Sequence, residues 1–219
     1  MTPGYTKYEA FPGASANGAQ EREHIWTHDV VGANTFVTAL LDSPAKAEAA
    51  AERLRHAAQL RLDHVRSEAG MLAFDVIVTN TGAGHKLPTG VTEERQIWLD
   101  VSVVARDGTE LAHYGKLDDR GVIAEDTMIL QTRFGDAQGQ ATHRIWLAQS
   151  VLSDRRIAPR ASETQSFSLE LPAGAVPEQI NVRLLYRSSH QDFIDELFAD
   201  TPEREQVPIV EMAVANLVF

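Results

Sequence analysis

The sequence predicts a mainly β chain: an immunoglobulin-like antiparallel β-sandwich with an irregular N-terminal arm and a few short helices. Three observations carry this. Short β-branched or aromatic runs recur between turn signals over most of the chain. Several of them alternate apolar and polar residues, which turns one face of each strand toward a core. Helical spacing is confined to short stretches. At 219 residues the chain can bury a core as a single domain, 1–219, without a disulfide or metal staple.

Residues 1–23, rich in Gly, Pro, Ala, Ser and Asn, read as the irregular arm, with Tyr5, Tyr8 and Phe11 as apolar pins to the body. Ser43-Pro44 then opens an Ala-rich stretch to about His56, with Ser as N-cap and Pro at the first helical position. Ala47, Ala50, Ala51, Leu54 and Ala58 fall at helical spacing, so this is a short amphipathic helix. From Leu60 the period becomes two. After the turn Ser67-Glu68-Ala69-Gly70, Met71 to Asn80 completes a hairpin. Ile97 to Ala105 and Glu110 to Tyr114 form a second hairpin across Arg106-Asp107-Gly108. Thr142 to Val151, Thr164 to Leu171 and Ile180 to Arg187 read as further strands, Asp192 to Phe198 as a short helix, and Pro208 to Phe219 as a closing alternating segment.

Composition removes several classes of function. The formal net charge is -11, and phosphate backbones are bound through Lys and Arg, so nucleic acid is excluded as a partner. The absence of cysteine removes disulfides, thiolate zinc sites, Fe–S clusters, thiol nucleophiles and covalent c-type haem attachment. No apolar run approaches the roughly 20 residues of a membrane span. No Gly-x-Ser-x-Gly nucleophile elbow is present.

Two segments point at chemistry. His24-Ile25-Trp26-Thr27-His28 places two imidazoles and an indole at alternating positions, which share one side if the segment is extended. Asn80-Thr81-Gly82-Ala83-Gly84-His85-Lys86-Leu87-Pro88-Thr89-Gly90 places one histidine in a loop dense in glycine and stiffened by proline. Imidazoles without thiolates suit copper, zinc, nickel or iron. The His-Glu-x-x-His motif of hydrolytic zinc is missing, and an oxidisable indole beside the imidazoles favours copper. The other histidines, His56, His113, His143 and His190, have no evident partner along the chain and read as structural, and His64 reads as a strand residue. Asp118, Asp119, Glu125, Asp126 and Asp136 offer hard oxygen donors for a structural calcium, but without EF-hand spacing they read first as a solvated acidic loop.

The loop Asn80 to Gly90, the following Arg95, and Trp26-Thr27-His28 with Gly32-Ala33-Asn34 resemble the methanotroph surface copper-binding proteins of the MopE and CorA type. A similar Gly-His loop occurs in the haem-free C-terminal part of some multihaem c-type cytochromes. Asp154 to Pro159 and Leu184-Leu185-Tyr186-Arg187 resemble that shared domain too, so the likeness runs from about residue 24 onward. It implies a mononuclear Cu(I) site made by Trp26, His28 and His85, with the tryptophan as such or oxidised to kynurenine and a water completing the shell. His24 is either a third ligand or a surface residue.

The resemblance further implies copper scavenging, storage or delivery without turnover, in the mature form of a periplasmic, cell-surface or secreted protein, with a surface cytochrome or peroxidase as partner. The alternative is a haem-free accessory or C-terminal domain of a multihaem cytochrome system, supplying a histidine ligand or a docking surface. A copper oxygenase and a purely structural sandwich complete the set.

Overall fold

The structure is a computed structural model and describes residues 12–14, 16–23, 31–201 and 204–219. Tyr5, Tyr8, Phe11, His24, Trp26 and His28 lie outside the described residues. Helix α1 (Thr35–Leu40) and helix α2 (Pro44–Arg55) precede the sheets. Then come β1 (Ala58–Glu68), β2 (Met71–Asn80), β3 (Gln96–Ala105), β4 (Glu110–Tyr114), β5 (Thr132–Gly135), β6 (Ala141–Thr142), β7 (Ser150–Asp154), β8 (Ser162–Glu170) and β9 (Pro177–Arg187). Helix α3 (Gln191–Leu197) and β10 (Val210–Val218) close the chain.

The strands make three antiparallel sheets with the orders β1-β2-β8, β10-β9-β3-β4 and β6-β5-β7. The first two face each other as a sandwich. Leu72, Phe74, Val76 and Val78 of β2 meet Ile97, Leu99, Val101 and Val103 of β3 and Ile180, Val182 and Leu184 of β9 in one buried cluster. The period of two is what puts these alternate residues on the inner face. Phe74 stacks on Phe167 of β8 at 5.2 Å between ring centroids, and Tyr114 of β4 leans on the same ring at 5.0 Å. The β1–β2 turn has positive φ at both Ala69 and Gly70, the handedness that matches the twist of a tight hairpin.

The sheet holding β3 is covered on its outer face as well. Trp98, Leu185 and Ile123 form a second buried cluster there. Phe36, Ile194 and Val207 form a third, which ties α1 and α3 together. Both faces of β3 and β9 are therefore occupied near Gln96 and Arg187, and polar groups at that end are buried.

One expectation about elements needs correction. Residues 142–151 do not form a strand: β6 ends at Thr142, a 3-10 turn occupies Ile145–Leu147, and β7 starts at Ser150. The apolar residues there have no buried face to satisfy, since Trp146 is 67% exposed and Val151 61% exposed. Helix α1 and strand β5 carry no clear periodic signal. For α1 the determinant is the Asn34 side chain, which accepts from the Val37 amide at 3.0 Å and caps an otherwise β-branched segment. No helix among the described residues is long and apolar enough to cross a membrane.

Candidate metal centre

The loop that carries His85 is built on Asn80, the last residue of β2, which is fully buried. Its Nδ2 donates to the carbonyls of His85, at 2.9 Å, and Ile157, at 3.0 Å, while its Oδ1 accepts from the Ala83 amide at 3.0 Å. Leu87 exchanges a pair of backbone hydrogen bonds with Ile157, both at 2.9 Å. Ala83 and Leu87 are buried in the main core, so the loop's two shoulders are anchored and its tip is exposed. Lys86 reaches Asp154 at 3.0 Å, and Arg156 grips the same carboxylate at 2.7 and 2.8 Å. Those two cations hold the Asp154 carboxyl well below the usual carboxylate range.

His85 is at the exposed tip. Its Nδ1 lies 3.0 Å from the Lys86 carbonyl. A carbonyl only accepts, so Nδ1 carries the proton and Nε2 keeps its lone pair, with no partner among the described residues. That is the tautomer of an imidazole metal ligand oriented through its other nitrogen. On the other motif, the described residues just after His28 are anchored too. Val31 is buried, and the Tyr186 hydroxyl donates to the Ala33 carbonyl at 2.9 Å. Ala33 packs against the same core cluster as Ala83 and Leu87.

The acidic residues read as calcium donors are spread over separate turns. Asp118 accepts from the amides of Arg120 and Val122 at 2.9 and 2.8 Å, and Asp136 from those of Gln138 and Gln140 at 2.9 and 2.8 Å. Each carboxylate closes its own turn.

A second histidine grouping was not legible along the chain. His143 follows β6, and His190 precedes α3. Their rings meet edge to face at 4.9 Å, and Phe193 lies 5.4 Å from His143. One ligand atom from each imidazole and one from Asp192 lie within 4.8 Å of one another. The two histidines line a cleft of about 700 Å³ between the Ile123–Ile129 segment and the β5–β6–β7 sheet. His56 and His113, by contrast, fit their structural reading: His56 Nδ1 is 2.9 Å from the Glu52 carbonyl, and His113 sits between Asp100 and Glu110 at 3.2 and 3.1 Å.

The floor behind His190 is a buried polar chain. Arg187 donates through Nε to Gln96 Oε1 at 2.5 Å and through Nη1 to the Gly121 carbonyl, with its guanidinium 5.6 Å from the Trp98 ring centroid. Burial lowers the Arg187 pKa to about 10, which still leaves it charged at neutral pH. Glu94 accepts from Ser189 at 2.8 Å and from the His190 amide at 3.4 Å, and Arg95 donates to the Ser188 carbonyl. Burial, then the neighbouring His143, pushes the His190 pKa down to about 4. His190 is therefore a neutral base at pH 7.

These sheets have a counterpart among solved structures. The fold is similar to that of a multihaem cytochrome. A penta-haem cytochrome c552 from Thermochromatium tepidum superposes with a TM-score of 0.58 and 18% sequence identity, over 77% of this chain and 41% of that one. This chain thus spans about two-fifths of the length of the cytochrome chain, and the likeness is one of fold. A Bordetella pertussis protein assigned as ApaA aligns over 74% of this chain and 94% of its own at 14% identity, with a TM-score of 0.29, too low to carry an argument. No protein family and no curated protein matches the chain.

Proposed function

We propose that the chain is a mononuclear Cu(I)-binding protein, with His85, His28 and Trp26 or its kynurenine product as ligands, serving copper scavenging, storage or delivery outside the cytoplasm. The observation that carries the reading is His85 itself. It is exposed at the tip of a loop whose shoulders are buried, with Nδ1–H held by a carbonyl and Nε2 presenting its lone pair. Soft, low-coordinate Cu(I) suits two imidazoles, and Trp26 stands two residues from His28. The protein would bind and release copper without turnover.

The test is competition for Cu(I) against a chromophoric chelator, with wild type and the His28→Ala/His85→Ala double variant, and peptide mass spectrometry across Trp26. Stoichiometric copper that disappears in the double variant supports the reading, and an oxidised Trp26 adds the kynurenine. A wild type that cannot compete sinks it.

A second reading is favoured by the fold shared with a multihaem cytochrome. Here the chain is a haem-free domain of an electron-transfer system that docks on a cytochrome or offers it a histidine ligand. Having no cysteine, this chain holds no Cys-x-x-Cys-His haem site of its own. A change in the haem absorption of a multihaem cytochrome on mixing, lost in His28→Ala, would select this reading over copper storage.

A further inference from the structure

We propose a second metal site, for a divalent first-row transition cation of the zinc class, formed by His143, His190 and Asp192 at the edge of the cleft between the Ile123–Ile129 segment and the β5–β6–β7 sheet. None of its residues belongs to the His28/His85 motif, so it stands or falls apart from copper.

The imidazole of His190 is set for ligation by its neighbours. Its Nε2 lies 3.1 Å from the Glu93 carbonyl, which only accepts, so the proton is on Nε2 and the lone pair on Nδ1. Nδ1 is the atom nearest Asp192, at 3.9 Å from Oδ1. This pattern, one ring nitrogen donating to a backbone carbonyl and the other free to ligate, is how proteins orient metal-bound histidines. A competing contact exists: Gln96 Nε2 lies 3.3 Å from Nδ1, with its amide orientation set by the Arg187 bond to Oε1. At 3.3 Å that hydrogen bond is long, and an ion would take its place.

The other two groups are free to close on an ion. His143 is half-buried with its ring against His190, and Asp192 is exposed at the start of α3. Ligands around a tetrahedral ion at about 2.0–2.1 Å stand roughly 3.3 Å apart, so the trio, all within 4.8 Å, need contract by at most about 1.5 Å. The Asp192 side chain is exposed and so has room to turn toward the rings. The segment behind His143 is tied to α3 by the Arg144–Glu196 ion pair at 2.5 Å, which keeps the two histidine-bearing elements together.

An independent observation lies in the same cleft. Gln131 Oε1 and Thr132 Oγ1 are buried without a hydrogen-bond partner among the described residues, on residues 8% and 5% exposed, and both line the cleft. Buried polar atoms without partners are uncommon. A ligand or water seated in the cleft that His143 and His190 line would give them partners. Two imidazoles and one carboxylate with an open position match zinc and other borderline divalent ions, and not calcium or magnesium, which prefer oxygen donors throughout.

The experiment is a Co²⁺ and Zn²⁺ titration of the full chain in the His28→Ala/His85→Ala background, which removes the copper motif. Ligand-field absorption of Co²⁺ and its displacement by Zn²⁺ are the readouts. One equivalent of Co²⁺ is expected. His143→Ala should weaken binding by about 100-fold and Asp192→Ala by at least ~10-fold, both with unchanged circular dichroism. Mg²⁺ and Ca²⁺ in excess should not displace Co²⁺. Absence of Co²⁺ binding in that background overturns the proposal, and so does binding that survives both substitutions. Asp192 is exposed, so its variant decides the matter should His143→Ala fail to fold. Failure here leaves the copper reading intact, because that reading is measured on the residues this background removes.

Discussion

Asn80 Nδ2 donates to the backbone carbonyl of His85 at 2.9 Å from a fully buried position at the end of β2. A core residue thus sets the path of an exposed, histidine-bearing loop. The same amide group reaches Ile157 at 3.0 Å, so one side chain joins the β2–β3 loop to the segment before β8.

Asn80→Ala should destabilise the fold by about 2–4 kcal/mol, because it strands the Ala83 amide and the half-buried His85 carbonyl and removes the second hydrogen bond of the buried Ile157 carbonyl. Chemical denaturation checks this. A loss under about 0.5 kcal/mol would mean that water replaces the amide and the loop is not built on it.

Asp154 ties Lys86 to the body beside His85. If His85 ligates copper, Asp154→Ala should lower Cu(I) affinity by about 10-fold, since partners that orient a ligand typically affect affinity by about 10–100-fold. The fold should hold, as the ion pair is partly exposed. Chelator competition with the variant is the measurement; unchanged affinity would show that Lys86 has no part in placing His85.

Gly115 has φ +76, and a Cβ there would stand 2.0 Å from the Leu99 carbonyl oxygen, a backbone atom that cannot yield. Its own carbonyl accepts from the buried Trp98 indole at 3.2 Å. Gly115→Ala is expected to cost more than about 3 kcal/mol, whereas Gly108→Ala, at φ +86 in open space, should cost only the conformational strain of about 1–2 kcal/mol. Equal effects in urea unfolding would remove the clash as the cause.

His190 predicts a pH dependence of stability. Its pKa falls from 6.5 in the unfolded chain to about 4 when folded, mainly by burial and next by the adjacent His143. The unfolded chain therefore takes up the proton first. The contribution is intact above pH 6.5 and is lost as the pH drops through that value toward 4, by about 3 kcal/mol. Comparing wild type with His190→Gln across this range isolates the effect; parallel curves for the two would disprove it.

Much of the sandwich was readable along the chain, because strands write their burial as a period of two. Met71 to Asn80 shows buried residues at every second position, and the turn before it needs only Ala69 and Gly70. The stretch Thr142 to Val151 misled for a related reason. Its apolar residues suggest a strand, yet Trp146 and Val151 face outward, and sequence does not say which apolar residues find a partner surface. Helix α1 escaped because a single Asn34 hydrogen bond, not propensity, starts it.

The candidate sites divide the same way. His85 was legible because glycine and proline around a lone histidine mark a shaped loop. His143 and His190 stand 47 positions apart by their numbers, with no motif between them. Glu94, Gln96 and Arg187 carry no burial signal in the sequence, and become buried polar groups because β3 and β9 pair in a register that puts Gln96 opposite Arg187.

By itself the sequence determined the fold class, the two main hairpins, the absence of thiol and covalent haem chemistry, and the loop that presents His85. These come from local periodicity, turn chemistry and composition, which act over a few residues. Tertiary structure alone decided which histidines meet, which charges are buried and which ring nitrogen of His190 donates to a distant carbonyl. Those properties depend on contacts between distant segments, and on which carbonyl each ring nitrogen meets once the sheets have packed.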